Sequence, residues 1–141
     1  MNDQLLRTFI TLVNFDQKIV SLEKERTVLQ DSRHALDEKK VMLLNALGAL
    51  FDQVRQYKKD VDEKELQMKT FDQQESDKKY RLENVASVKE YNSIKAELAT
   101  LSQKQRDHEE LLIEAWDKLD AAQKKYAAEQ ISCAKVVAEL E

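Results

Sequence analysis

Apolar residues in the first 85 positions recur in alternating steps of three and four, which is the spacing of a coiled-coil seam. One series of this heptad repeat, position a, begins at Leu12, and the other, position d, begins at Phe15. Sixteen of the 22 positions are apolar. The a positions are Leu12, Ile19, Arg26, Arg33, Lys40, Leu47, Val54, Val61, Met68, Glu75 and Leu82. The d positions are Phe15, Leu22, Leu29, Leu36, Leu43, Leu50, Tyr57, Lys64, Phe71, Lys78 and Val85. The repeat predicts a long helix that buries one face against another helix.

A second heptad frame begins at Tyr91 and is displaced by two residues from the first. Its a positions are Tyr91, Leu98, Gln105, Leu112, Leu119, Tyr126, Cys133 and Leu140. Its d positions are Ile94, Leu101, His108, Ala115, Ala122, Glu129 and Val136. In an unbroken helix a two-residue shift rotates the seam by roughly 200°. The shift therefore predicts a turn between the frames, with a continuous rod as the alternative.

The stretch NVASVKEYNS at 84–93 has the local chemistry of such a turn. Ser87 and Glu90 have the spacing of a capping box, in which each side chain accepts from the other residue's amide. Asn84 tolerates the left-handed conformation that ends many helices, and Tyr91 opens the second frame. We predict an all-α fold, a long antiparallel coiled-coil hairpin of two helices with a turn near residues 84–88. It forms a single unit over 1–141, with arms at about 3–84 and 88–140 and the turn at about 85–87.

Composition supports few turns and limits the function. The 141 residues include one Gly and no Pro, and 35% are charged with a net charge of −4. No basic excess marks a nucleic-acid surface, and the apolar run at 41–51 is too short for a membrane span. We expect a soluble, cytoplasmic chain that binds no nucleic acid through this segment.

The sequence contains no recognisable catalytic or metal-binding motif. His108 begins a pattern like that of a zinc-protease helix, but Leu112 occupies the position of the second His. We instead expect His108 at a seam position near Lys64 or Met68. Cys133 is the only cysteine. We predict no enzyme, no catalytic residue and no cofactor in this chain.

If the turn centres near residue 86, residue i faces roughly residue 172 − i, and residues 1–30 have no intrachain partner. We therefore predict partner or dimer contact through apolar residues of this segment, two arginines at a positions and a tryptophan beside the seam. They are Leu5, Leu6, Phe9, Ile10, Val13, Arg26, Arg33 and Trp116. Two alternatives stay open: the arginines control register by snorkelling, and Trp116 covers the seam edge.

Several of these segments resemble the bacterial coiled-coil zinc-ribbon proteins. The similar segments are SVKEYNSIKAEL at 87–98, HEELLIEAWDKLD at 108–120 and TFITLVNFDQKIVSLEKE at 8–25. The resemblance implies a helical hairpin followed by a four-Cys zinc ribbon. It also implies an accessory role in flagellar or type III secretion assembly and, in some members, association with the alternative sigma factor. This chain has no Cys-x-x-Cys pair. We therefore expect zinc only in a ribbon that is missing from this chain.

Two functional hypotheses follow. The first is a non-enzymatic, chaperone-like adaptor whose N-terminal apolar stripe binds other proteins, among them secretion or flagellar components. The second is a structural rod or tether that self-associates. A homodimer is compatible with the first hypothesis, whereas mass that keeps rising with concentration would favour the second.

Overall fold

The structure, a computed structural model, describes the backbone of residues 2–140 and the side chains of residues 2–139. It contains two helices, α1 (Asn2–Glu83) and α2 (Val88–Leu140), which pack against each other. Residues 84–87 connect them. The predicted all-α helical hairpin with a turn near residues 84–88 is confirmed, and the continuous rod is excluded.

The chain divides into two compact units, which we describe separately. The hairpin unit comprises residues 46–135. The N-terminal unit comprises, within the described range, residues 2–45 and 136–140.

The predicted seam forms the core of the hairpin unit. From Leu47 to Leu82, every a and d residue of α1 is buried or half-buried. The most buried cluster joins Val61 of α1 to Leu112 and Ala115 of α2, each at most 6% exposed. Met68 and Leu119 pack against this cluster. The heptad repeat therefore identifies the face through which these helices pack.

Long side chains contact each other across the hairpin unit several residues beyond the predicted register, although His108 and Lys64 meet at the predicted level. Phe51 contacts Tyr126 with ring centroids 5.7 Å apart, whereas a turn centred near residue 86 predicts a partner at about residue 121. Phe71 contacts His108 edge-on at 5.5 Å, against a predicted partner at about residue 101. Side chains lean toward the N-terminus of their own helix, so that antiparallel partners meet several residues beyond the level of their Cα atoms. A register counted from the turn alone describes the level of the Cα atoms and does not include this tilt of the side chains.

The half-buried Lys, Glu, Gln and His residues at seam positions of the hairpin unit are paired rather than left unsatisfied. Lys78 at a d position donates to Glu97 Oε2 at 2.6 Å. Gln105 at an a position donates to Asp72 Oδ1 at 3.1 Å and to Glu75 Oε2 at 3.0 Å. These bonds join the two helices and offset the cost of polar groups in the seam.

The corner between the helices differs from the predicted capping chemistry. The Asn84 side chain donates to the Tyr80 carbonyl at 2.9 Å and its amide to the Arg81 carbonyl at 3.2 Å. Among the described residues no non-glycine residue has a positive φ, so Asn84 does not adopt the left-handed conformation that the sequence would tolerate there. Asn84 instead ends α1 by bonding a carbonyl that the last turn leaves free.

The start of α2 rests on backbone hydrogen bonding. The Ser87 carbonyl accepts from the Tyr91 amide at 3.0 Å, which makes Ser87 the residue that caps the helix. The two reciprocal side-chain bonds of a capping box between Ser87 and Glu90 are not among the hydrogen bonds of the described chain. Tyr91 is 42% exposed, so the buried part of the seam begins at Ile94.

The N-terminal unit has a different character. Every residue from 2 to 39 is exposed, including those at a and d positions. Half-buried residues appear from Lys40 onward in α1, and include Val136 and Val137 in α2.

Candidate protein-docking surface

An exposed apolar surface covers residues 5–36 of α1, which we call the N-terminal surface. Five residues predicted to make contacts lie on it: Leu5 (70% exposed), Leu6 (57%), Phe9 (63%), Ile10 (50%) and Val13 (37%). Single exposed apolar residues are ordinary, whereas a contiguous set of this size marks an interaction site.

The N-terminal surface has two faces, because its apolar residues fall on two sides of the helix at about 100° per residue. The a/d face carries the heptad positions Leu5, Leu12, Phe15, Ile19, Leu22, Leu29 and Leu36. The b/f face carries Leu6, Ile10, Val13 and Val20. Their centres lie about 140° apart around the axis, and Phe9 lies between them. A helix that is apolar over so wide an arc is typical of helices covered on more than one side.

The helix at this surface is regular. Thr8, Thr11 and Thr27 each donate a hydroxyl hydrogen bond to the carbonyl four residues earlier, at 2.8–3.0 Å. These bonds satisfy the hydroxyls within the helix itself. On the b/f face a shallow groove runs between Val13 and Val20, with Lys24 at one end. The backbone thus presents both faces without a break.

Charged residues border the a/d face. Arg26 and Arg33 occupy a positions and are exposed. Lys18, Glu23 and Glu25 flank the same face, and within the described chain neither they nor the two arginines form an ion pair. The charges that border this face are therefore available to a second molecule.

Trp116, the other residue predicted to make contacts, belongs to the hairpin unit. Its indole Nε1–H donates to Glu65 Oε1 at 3.2 Å across the two helices, and the side chain is 45% exposed. This geometry agrees with the alternative interpretation that Trp116 covers the seam edge. Its neighbours in sequence, Leu111 and Ile113, are 49% and 47% exposed.

His108 has the expected position. Its Nε2 lies 2.8 Å from the Lys64 carbonyl, and because a carbonyl oxygen only accepts, the Nε2 carries the hydrogen. The ring also contacts Phe71 edge-on. The prediction that His108 occupies the seam near Lys64 is confirmed.

Ion pairs change the acidity of three groups in the hairpin unit. A hydrogen bond from Lys78 lowers the pKa of Glu97 below its usual 4.5. A hydrogen bond from Lys79, helped by Gln105, lowers the pKa of Glu75. The carboxylate of Asp120 raises the pKa of Lys124 above 10.5. Each shift reflects the stabilisation of a charged group by a hydrogen-bonded partner of opposite charge.

Among the described residues there is no cluster of three or more His, Cys, Asp or Glu side chains placed to hold a metal ion. Over the same range neither helix has a stretch long and apolar enough to cross a membrane.

Sequence reasoning placed the a/d residues from Leu12 to Leu36 on a seam, but the structure leaves them exposed. They are Leu12 (57%), Phe15 (61%), Ile19 (39%), Leu22 (63%), Leu29 (69%) and Leu36 (40%). For all of them except Leu36, the signal that could have found them was already present, because the predicted register left residues 1–30 without a partner. These residues extend the candidate surface well beyond Val13.

Comparisons with known proteins do not identify a family. No model of a protein family matches the chain, and neither the curated proteins nor the solved structures include a significant match.

Proposed function

We propose that this chain is a non-enzymatic adaptor that binds other proteins through the N-terminal surface. One observation supports the proposal above all: four exposed apolar residues, Leu6, Ile10, Val13 and Val20, lie along one side of a helix over about four turns, with Gln17 between the last two. Apolar strips of this length on an α-helix fit the apolar face of a partner helix, anchored at positions three and four residues apart. The hairpin unit would then serve as the scaffold from which the surface is presented.

The resemblance to coiled-coil zinc-ribbon proteins stays a prediction, and it suggests partners among flagellar or type III secretion components in the cytoplasm. The proposal that the N-terminal surface docks a partner helix does not depend on this resemblance, because it is argued from the exposed apolar residues alone. A chaperone-like role is compatible with this proposal, since a surface rich in Leu, Phe and Val suits apolar segments of partner proteins.

Site-specific photo-crosslinking in the native cell tests the proposal. A photoreactive amino acid at Ile10 on the b/f face should give one reproducible adduct whose partner can be identified by mass spectrometry. The same group at Thr11, the next residue and about 100° further round the helix on its polar side, is the matched control and should give no such adduct.

A substitution that disrupts the b/f face completes the test. Val13→Asp places a carboxylate within the b/f face and should abolish the Ile10 adduct, while helicity measured by circular dichroism stays unchanged because Val13 is exposed. Equal adducts from Ile10 and Thr11, or an adduct that survives Val13→Asp, would contradict the proposal.

A further inference from the structure

The a/d face of the N-terminal surface has seven apolar residues in heptad register, and all are exposed. We propose that this face pairs with the same face of a second copy, in parallel and in register, to form a two-stranded coiled-coil dimer. The proposal uses a face other than the one proposed to bind partner proteins, and it goes beyond that function.

Heptad spacing identifies the kind of occupant. Residues 12–36 continue the same a and d series that packs helix against helix in the hairpin unit. A face with this period accepts a helix that crosses at the shallow angle of a coiled coil, since other packing modes do not keep a and d residues in contact over five heptads. The occupant is therefore helical and carries a matching heptad repeat.

The area is sufficient for a stable dimer. A buried aliphatic or aromatic side chain removes on the order of 100 Å² of apolar surface from water. Seven such side chains on each copy would bury on the order of 1,400 Å², which is within the size of a standard specific interface. A second copy supplies that area without any residue outside the described chain.

Charge complementarity favours the parallel arrangement. In parallel register, position g of one helix flanks position e of the next heptad in the other helix. Lys18 at g then lies beside Glu23 at e of the second copy, twice by symmetry, and no like-charged pair flanks the seam. Neither residue has an ion-pair partner within the described chain.

Antiparallel registers that keep apolar a residues opposite apolar d residues are less favourable. Each of them sets like charges against each other at the flanks, because e then faces e and g faces g. Depending on the register, Asp16 faces Asp16, Glu23 or Asp37, or Glu23 faces Glu23. Only the register with Asp16 opposite Glu23 offsets this repulsion, because it sets Lys18 opposite Glu25, whereas the parallel arrangement has the attractive pair alone at its flanks. Like charges so placed disfavour the arrangement.

The arginines fit two strands better than a larger bundle. In the parallel dimer Arg26 packs against Arg26 of the second copy, and Glu25 of that copy lies beside it at position g. The long arginine stem can lie along the seam while the guanidinium reaches the flank and its solvent. A charged a position weakens the dimer but specifies its register and strand number.

The mass of the full chain in solution gives the first test. Sedimentation equilibrium from about 1 µM to about 200 µM should show a reversible transition from 16.4 kDa to twice that mass, with no larger species. A monomer throughout this range overturns the proposal. So does a mass that rises past the dimer, which would instead indicate open self-association.

A matched pair of substitutions then identifies the face. Leu22→Glu at a d position should weaken dimerisation by on the order of 100-fold, because it places a carboxylate in the seam of both copies. Leu6→Glu on the b/f face should leave the dimer constant within about threefold. Both side chains are exposed in the chain alone, so neither change disturbs its folding. If Leu6→Glu weakened the dimer more than Leu22→Glu, the proposal would be overturned.

Oxidative crosslinking tests the orientation. In a Cys133→Ala background, Arg26→Cys brings the two thiols together only in a parallel, in-register dimer, and should give a covalent dimer on mild oxidation. Lys24→Cys, at position f on the outer side of the same helix, should stay monomeric under denaturing conditions. Absence of the Arg26→Cys product, or equal product from both variants, overturns the parallel arrangement. Partner binding through the b/f face is measured separately by the Ile10 adduct, so the two proposals can fail independently.

Discussion

The hairpin unit and the N-terminal surface share a heptad pattern but differ completely in burial. In the hairpin unit a seam residue such as Val61 is 4% exposed, whereas Leu22, at a d position of the same helix, is 63% exposed. Both have apolar a/d neighbours and both lie in regular helix. The pattern therefore determines which face of a helix is to be covered, while chain topology determines whether the same chain covers it.

The largest expected effect contrasts the two regions directly. Leu112→Ala opens a cavity in the cluster with Val61 and Ala115, and should lower the free energy of unfolding by about 2–4 kcal/mol. Leu22→Ala, measured at about 1 µM where we expect the monomer, should change it by less than about 0.5 kcal/mol. Urea denaturation followed by circular dichroism measures both. Similar losses for the two variants would show that Leu22 is covered within its own chain.

The next effect sharpens the difference between the two arginines at a positions. Arg33→Leu should tighten the proposed dimer about tenfold, because Arg33 has only Ser32 beside it at position g and the substitution removes an unpaired charge from the seam. Arg26→Leu should tighten it less, since it also removes the pairing with Glu25 of the second copy. Arg7→Leu, on the polar side of the helix, is the control and should leave the constant unchanged. Sedimentation equilibrium distinguishes these outcomes, and a weaker dimer with Arg33→Leu would argue against a seam at this position.

A smaller effect concerns the corner. Asn84→Ala removes the side-chain bond to the Tyr80 carbonyl and should cost about 1 kcal/mol in thermal unfolding of the chain. Glu90→Ala removes no hydrogen bond seen in the structure and should cost less than about 0.5 kcal/mol. A larger loss of stability for Glu90→Ala than for Asn84→Ala would indicate that the capping box between Ser87 and Glu90 forms in solution.

The smallest effect is a pH dependence of the hairpin unit. Because the pKa of Glu97 is lowered by Lys78, its ion pair contributes full stability above about pH 4.5 and loses it as the pH falls through the lowered value. Glu97→Gln should therefore flatten the fall in melting temperature below pH 4.5 and change little at pH 7. The exposed position of the pair keeps this effect small. If Glu97→Gln left the fall in melting temperature below pH 4.5 unchanged, the ion pair between Lys78 and Glu97 would not form in solution.

Much of the fold could be predicted because the heptad repeat and the two-residue frame shift are both local properties of sequence. The exceptions have physical reasons. Glu129 holds a d position and is exposed, since a carboxylate gains more from water than from the seam. Phe51 meets Tyr126 several residues beyond the simple register, because side chains lean along their helices. At Asn84 the sequence pattern suited two ways of ending a helix, and the structure has the one in which the side chain donates to the Tyr80 carbonyl.

The candidate site was less predictable. Residues 1–30 were predicted to have no intrachain partner, and the contact residues named from that segment were Leu5 to Val13. Leu22 and Leu29 lie in the same segment and are just as exposed. Which molecule covers the b/f face depends on complementary groups in another chain. The amino-acid pattern of one partner specifies only half of an interface.

The continuity of α1 has a consequence for the kinetics of association. An isolated segment of some 38 residues would have to pay for helix nucleation, which is far less favourable than adding residues to an existing helix. Residues 2–39 belong to the same helix as residues 47–82, whose seam is packed. The packed turns can act as a permanent nucleus from which the exposed turns propagate. A binding partner would then meet a helix already formed, so little backbone entropy is lost on docking, and the rate of association should approach that of two ordered surfaces rather than that of coupled folding and binding.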